Sequence, residues 1–345
     1  MFQFKPPKII MITGAAGYIG AILCDQFSKS PDVEQIIAID RLSIPELLKD
    51  NKKIIWITAN LYQNIWKIPA LINKPEVVIH AAWQTNGLFG NEELQTKLNI
   101  ESSQMLFEFA FKNKFVKKLI FLSDIFVYDA AADQDSDKPF DESDEPKETE
   151  YVCGRQKREV ENKLRHLFDQ SDHKKQVFVL RLSSIFGPRR NKLGIGISDP
   201  RVFFSTALPV VVDSPLGWTE QYVHEDDVTD AVAMFTFSQV GGGESYEVYI
   251  LSPNDFVTAC DMGENIKKRI IKLPAALIRV LFSFAWYLSG GKLPTGNGWW
   301  KVFCNPLLVD GSKITKSFGF EYLYKSKDVL KDVGGRYENT PGLVE

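Results

Sequence analysis

One run near the start of the chain restricts its possible folds more than any other: residues 8–13 (KIIMIT), followed by Gly14-Ala15-Ala16-Gly17-Tyr18-Ile19-Gly20. A continuous apolar run of this length is what a strand buried on both faces requires. Behind the glycines, Ile19, Ile22, Leu23 and Phe27 recur at helical spacing. Gly14 permits a tight turn out of the strand, Gly17 lets the backbone approach a pyrophosphate, and Gly20 lets the helix pack close to the strand. The helix start adds unpaired N–H groups and the positive end of its dipole. Glycines alone carry little weight. The strand before them and the helix after them make this turn, with Tyr18 and Ile19 in it, a phosphate cradle.

A dinucleotide needs a second element, a carboxylate about twenty residues further on that holds the adenosine ribose hydroxyls. Asp40 stands there, closing residues 35–40 (QIIAID). A carboxylate at that point repels a 2′-phosphate, which favours NAD over NADP. Arg41 beside it argues the other way, since a guanidinium accepts such a phosphate.

The alternation continues. Residues 53–58 (KIIWIT), 76–81 (EVVIHA), 118–123 (KLIFLS) and 176–182 (QVFVLRL) read as strands, with helices around 94–112 and 154–169. This is the pattern of an α/β chain with a doubly wound parallel sheet, a Rossmann fold. Beyond about residue 187, Pro, Gly and aromatic residues replace the alternation. The expected organisation is a cofactor domain over 1–187, with strands added from about 220–252, and a smaller interleaved substrate lobe over most of 188–345. Residues 129–150, dominated by Asp and Glu, read as a solvated loop.

Bulk properties narrow the partners. A net charge of −3 gives no basic footprint for nucleic acid. The four cysteines are far apart without C-x-x-C spacing, which speaks against a zinc site or a disulfide framework and for reduced thiols in a cytoplasm. The first residues lead straight into a strand, so no secretory leader is expected. Residues 273–288 (LPAALIRVLFSFAWYL) are too short to span a bilayer and carry Arg279 in their middle. An amphipathic surface helix or a lid over an apolar pocket is expected there, with peripheral membrane contact as an alternative.

Several motifs, in order, resemble the extended short-chain dehydrogenase/reductases, the NAD-dependent epimerase/dehydratase family. The G-x-x-G-x-x-G spacing is one; Val78-Ile79-His80-Ala81-Ala82 is similar to the family's fourth strand, and Asn99 to the Asn opening its next helix. Val127-Tyr128, Gly154-Arg155-Gln156-Lys157 through Glu161, and Arg181-Leu182-Ser183-Ser184-Ile185-Phe186-Gly187-Pro188 follow. Gln221-Tyr222-Val223-His224-Glu225-Asp226-Asp227-Val228 and Asp310-Gly311-Ser312-Lys313 complete the series. The resemblance implies that Asn60, Leu61, Ala81, Ala82, Asn99, Ser123 and Lys157 face the cofactor, and that Trp83, Ser184 and Gln221 face a small-molecule substrate. A homodimer is the expected assembly, and no metal is.

The resemblance also implies a Tyr-x-x-x-Lys pair on one helix and a Ser or Thr at the end of strand five. A lysine four residues on shares the helix face of the phenol and lowers its pKa toward that of a working base. Here the chain departs. Aligned on the G-R-Q-K run, Lys157 is the lysine and Cys153 replaces the tyrosine; aligned on the nearby tyrosine, the pair is Tyr151 with Arg155. The first register is preferred, and because positions 151 and 153 are about 200° apart on a helix, both face the cofactor only if the helix starts later. Asp124 stands where Ser or Thr belongs, Ser184 replaces an Asn, and Glu220 replaces an Arg that would hold a diphosphate. A thiolate at Cys153, lowered by the helix start and Lys157, and a carboxylate base at Asp124 are the substitutes. His224 with its acidic neighbours reads as a helix cap rather than a metal site.

Three functions follow: an NAD-dependent epimerase/dehydratase-like oxidoreductase of a hydroxyl-bearing substrate, a nucleotide sugar among the options; an NAD(H)-binding sensor or scaffold without chemistry; and a steroid- or lipid-type hydroxy dehydrogenase.

Overall fold

The apolar runs become the strands of one sheet. A computed structural model describes residues 5–68, 74–130, 138–171, 175–189, 209–237, 245–293, 295–296, 298–331 and 333–339. Its first half contains β1 (Ile9–Thr13), α1 (Tyr18–Ser28), β2 (Gln35–Asp40), β3 (Ile54–Thr58) and β4 (Val77–His80). Then come α2 (Glu92–Thr96), α3 (Ser102–Lys112), β5 (Lys118–Asp124), α4 (Val152–Gln170) and β6 (Gln176–Leu182). The helix expected around 94–112 is interrupted by a π-helical turn, Lys97–Glu101, which separates α2 from α3.

After β6 follow β7 (Ser184–Phe186), β8 (Val211–Asp213), β9 (Thr219–Glu220), β10 (Tyr222–His224), α5 (Glu225–Phe237) and β11 (Ser245–Leu251). The remainder holds β12 (Val257–Thr258), α6 (Ala259–Asn265), β13 (Ile270–Lys272), α7 (Ala275–Leu288), α8 (Trp299–Cys304) and α9 (Ser312–Phe318). Seven strands pair in the order β11-β6-β5-β4-β1-β2-β3, every pairing parallel. The strand order reverses between β1 and β4, where a doubly wound sheet opens a crevice at the carboxyl ends of its strands.

Both faces of the sheet are covered, which explains why its strands read as unbroken apolar runs. Ile10, Ile12, Ile36, Ile79, Ile120 and Phe178 face α1 and α5, meeting Leu23, Phe27, Val232 and Phe235. Met11, Ile37, Val78, Leu119 and Val177 face the other way, toward Leu106, Phe107, Val160 and Leu164 of α3 and α4. A third cluster holds Trp218, Tyr222, Met262, Ile278, Phe282 and Phe303. Among the described residues three two-stranded ladders, β10–β7, β12–β9 and β13–β8, stand outside the large sheet.

Of the acid-rich segment, residues 131–137 lie outside the described residues. The rest of it is anchored: Phe140 pairs with Val309, its ring stacks on Tyr128 at 4.9 Å, and Glu142 accepts the Ile250 N–H.

Candidate active site

The turn after β1 is held by its own carboxylate. The Gly14 N–H donates to Ile39 O, and the two oxygens of Asp40 accept the N–H groups of Ala16 and Leu42 at 3.0 and 2.9 Å. Gly14 has φ +72°, and a Cβ there would stand 2.5 Å from Ala82 N, so this position admits only glycine. A Cβ on Gly20 would fall 2.0 Å from Gly14 O. At Gly17, which opens α1 in extended conformation, the same atom would meet nothing nearer than Gly14 O at 3.1 Å. The space in front of Gly17 is open, as a phosphate cradle requires.

That space is one end of a groove at the β1/β4 reversal. Gly14, Gly17, Asp40, Arg41, Asn60, Leu61, Ala81, Ala82 and Trp83 line it together. Ile39, Leu42, Ala59, Gln84, Leu98 and Ser102 also line it, although no motif pointed to them. Gln84 had a signal in its position next to Trp83, at the carboxyl end of a central strand. Arg41 and Gln84 join by a 2.9 Å hydrogen bond. Tyr18 and Ile19 lie apart: the Tyr18 hydroxyl donates to Glu225, and Ile19 is buried in the core.

Trp83 continues from the groove to a second cluster. Its indole lies 4.0 Å from the Lys157 ammonium, which also sits 4.8 Å from Phe121 and donates to Leu122 O. Burial lowers the Lys157 pKa, opposed by the charges of Asp124, Cys153 and Glu161. Beneath the floor of the groove, His80 is fully enclosed between the hydroxyls of Thr13 and Ser103, each 2.8 Å away, and burial pushes it down to about 3.

Of the two lysine positions expected for the tyrosine registers, Lys157 is buried beside Cys153 and Arg155 is exposed. Helix α4 starts at Val152, and Tyr151 precedes it in extended conformation (φ −71°, ψ 111°), so residues 151 and 153 are not on one helical wheel. Glu148 fixes this start by accepting the N–H groups of Thr149, Glu150 and Tyr151 at 2.6–2.8 Å, and it takes Lys301 as a counter-ion. Gly154 lets α4 come close to the turn after β5, since a Cβ there would stand 1.9 Å from Phe126 O. This approach brings the Cys153 thiol to donate to Asp124 at 3.7 Å.

The expected thiolate at Cys153 is overturned. Burial, with Asp124 adding to it, pushes the thiol up to about 12, more than Lys157 and Trp83 offset. Tyr151 is raised well above the ordinary phenol by burial and by Cys153, Asp124 and Glu220. Asp124 is the group nearest neutrality: burial raises it to about 6 against the pull of Lys157.

Other expected site residues are engaged elsewhere. Ser123, the neighbour of Asp124 on β5, turns its hydroxyl to Glu161 further along α4 and donates to it at 2.6 Å. Glu161 there meets Arg181 at 2.7 Å in a buried ion pair. Asn99 is fully buried in the π-helical turn, bonded to the backbone of Gln84 in both directions and to Gln156. Gln221, expected at the substrate, clamps backbone instead, donating to Pro253 O and Val309 O and accepting from Val309 N. Ser184 donates to Glu220, which also accepts the Tyr222 hydroxyl at 2.6 Å. His224 caps α5 by accepting the Asp226 N–H, and among the described residues no cluster suited to a metal occurs.

The model of the NAD dependent epimerase/dehydratase family matches residues 10–248. No curated protein matches the chain in sequence. Similar solved structures include UDP-glucose 4-epimerase of Thermotoga maritima with UDP-glucose (21% identity, 94% of this chain and 96% of that one, TM-score 0.68). WbmG of Bordetella bronchiseptica with NAD and UDP is 18% identical over 98% and 96% of the two chains, TM-score 0.69. The dTDP-glucose 4,6-dehydratase of Bacillus anthracis with NAD is 16% identical over 97% and 98%, TM-score 0.67. At such identities the likeness establishes the fold, while the family match spans most of the chain. The chain belongs to the NAD-dependent epimerase/dehydratase family.

Proposed function

We propose that this chain is an NAD-dependent oxidoreductase of the epimerase/dehydratase type whose proton acceptor is Asp124. The observation that carries the reading is the continuity through Trp83, which lines the dinucleotide groove on one side and covers Lys157, in the Asp124–Cys153 cluster, on the other. Gly14, Gly17 and the start of α1 suit the pyrophosphate, and Asp40 keeps lone pairs for the adenosine ribose. NAD, when bound, supplies the hydride acceptor. Asp124, a carboxylate at neutral pH, takes the proton of the substrate hydroxyl, while the Cys153 thiol and Tyr151 phenol remain protonated and serve as donors.

The substrate is a small hydroxyl-bearing molecule. Nucleotide sugars come into question because two similar structures hold UDP-glucose or UDP. Glu220 favours substrates without a diphosphate, since its carboxylate, held by the Ser184 and Tyr222 hydroxyls, repels one. One observation favours a non-catalytic NAD(H) sensor instead: the Lys157 ammonium is already held by Leu122 O beneath an indole.

Calorimetry tests the cofactor. NAD is expected to bind more tightly than NADP, and Asp40→Ala to weaken NAD about tenfold to a hundredfold, the worth of charge-assisted hydrogen bonds. Binding of neither dinucleotide overturns the proposal. Conversion of hydroxyl compounds across a panel, followed as cofactor reduction where the hydride is kept and as product formation where it is returned, and abolished in Asp124→Asn, separates the enzyme from the sensor.

A further inference from the structure

Helix α7 turns Ile278, Phe282 and Trp286 into the protein, four residues apart along one stripe. Its outer surface is apolar too: Val280, Phe284, Tyr287 and Leu288 are 62–73% exposed, and Leu277 and Leu281 are 44% and 46%. Phe89, set edge-on to Trp286 and Tyr287, extends this patch. A surface helix whose outer side is apolar apart from Arg279 and Ser283 calls for a second apolar phase.

The charge around it says which phase. Across residues 265–309 there is no Asp or Glu, while Lys267, Lys268, Arg269, Lys272, Arg279, Lys292 and Lys301 give seven cations, in a chain of 41 basic and 44 acidic residues. Arg279 and Lys301 turn back toward Glu150, Asp129 and Glu148. Lys272 lies 3.8 Å from Asp213, while Lys267 and Arg269 stand exposed just before the helix and Lys292 just after it. A second copy of the chain on this face would bring these like charges together. An anionic sheet of headgroups satisfies them, and the acyl region behind it takes the apolar side chains.

We propose that α7 docks this protein on membrane surfaces containing anionic lipid. Its 14 residues measure about 21 Å, too short for the roughly 30 Å of a hydrocarbon core, so the helix lies in the interface plane. Arg279 reaches Glu150, the neighbour of Tyr151, at 3.8 Å, and Trp300 donates to the same carboxylate. Docking therefore places the cluster around Asp124 beside the bilayer. The docking itself does not rest on the function proposed above.

The test is flotation of the full chain with phosphatidylcholine vesicles, with and without phosphatidylglycerol, at low and high salt. The protein floats with the anionic vesicles at low salt and is released by high salt. Arg269→Gln and Lys292→Gln each weaken flotation roughly fivefold, and Phe284→Glu with Leu288→Glu abolishes it. An unchanged melting temperature certifies the fold of the double variant, and the two charge variants carry the test if it fails to fold. The proposal is overturned if nothing floats, if both vesicle types bind alike, or if light scattering shows a dimer that Phe284→Glu dissociates.

Discussion

Asp124 occupies the place where a hydroxyl is expected, and its proton affinity comes from its surroundings. Its carboxyl is raised from 3.8 to about 6 by burial, so the folded state binds a proton that the unfolded chain has already lost between those values. The sign is therefore destabilising as pH rises through that window. Asp124→Asn removes the penalty, so the variant gains stability relative to the parent between about pH 4 and pH 6 and holds a constant advantage above. Denaturant melts across that range check it, and a constant difference from pH 4 to 7 refutes it. The replacements at 124 and 153 were legible in the sequence because a motif frames them. Their protonation was not, because it is set by burial and by the charges that the fold gathers around them, each other's and that of Lys157, with Glu161 acting on Asp124.

At the scale of elements, the family's most regular positions serve architecture. Glu161 of α4 and Arg181 of β6 form the buried pair behind β5, with Ser123 and Tyr128 completing its hydrogen bonds. Removing one partner leaves an uncompensated charge, so Glu161→Ala is expected to lower stability by about 3–5 kcal/mol, measured by urea unfolding. A double replacement by apolar residues recovers part of that loss. Strand periodicity located β1 to β6 to within a residue or so, because central strands buried on both faces leave a plain signal, whereas the short strands β7–β10, β12 and β13 were not located. It missed the break between α2 and α3. There Asn99 clasps Gln84 and Gln156 from a π-helical turn, a tertiary demand that helical spacing does not record.

Across the whole molecule, segments far apart in the chain are tied together by side chains that hold backbone or one another. Asp227 of α5 accepts the N–H groups of Leu323 and Tyr324, Arg336 forks onto Asp230, and Gln221 ties β10 to Val309. The Gly-turn, Asp40 and the sheet were readable from local pattern, whereas these ties join residues about 90 to 110 positions apart and leave no local trace. They predict one cooperative unfolding transition. The seven tryptophans are spread along the chain, so fluorescence and far-UV circular dichroism are expected to give coincident denaturation curves, and separated midpoints would refute this. The position of β11 beside β6 has a consequence for how the chain is made. β6 ends at Leu182 and its partner begins more than sixty residues later, at Ser245, so β6 emerges as a finished strand with an unpaired edge well before β11 can pair with it. Through that interval the nascent sheet presents an open template to any neighbouring strand, which makes this stretch of translation the moment when a chaperone matters most.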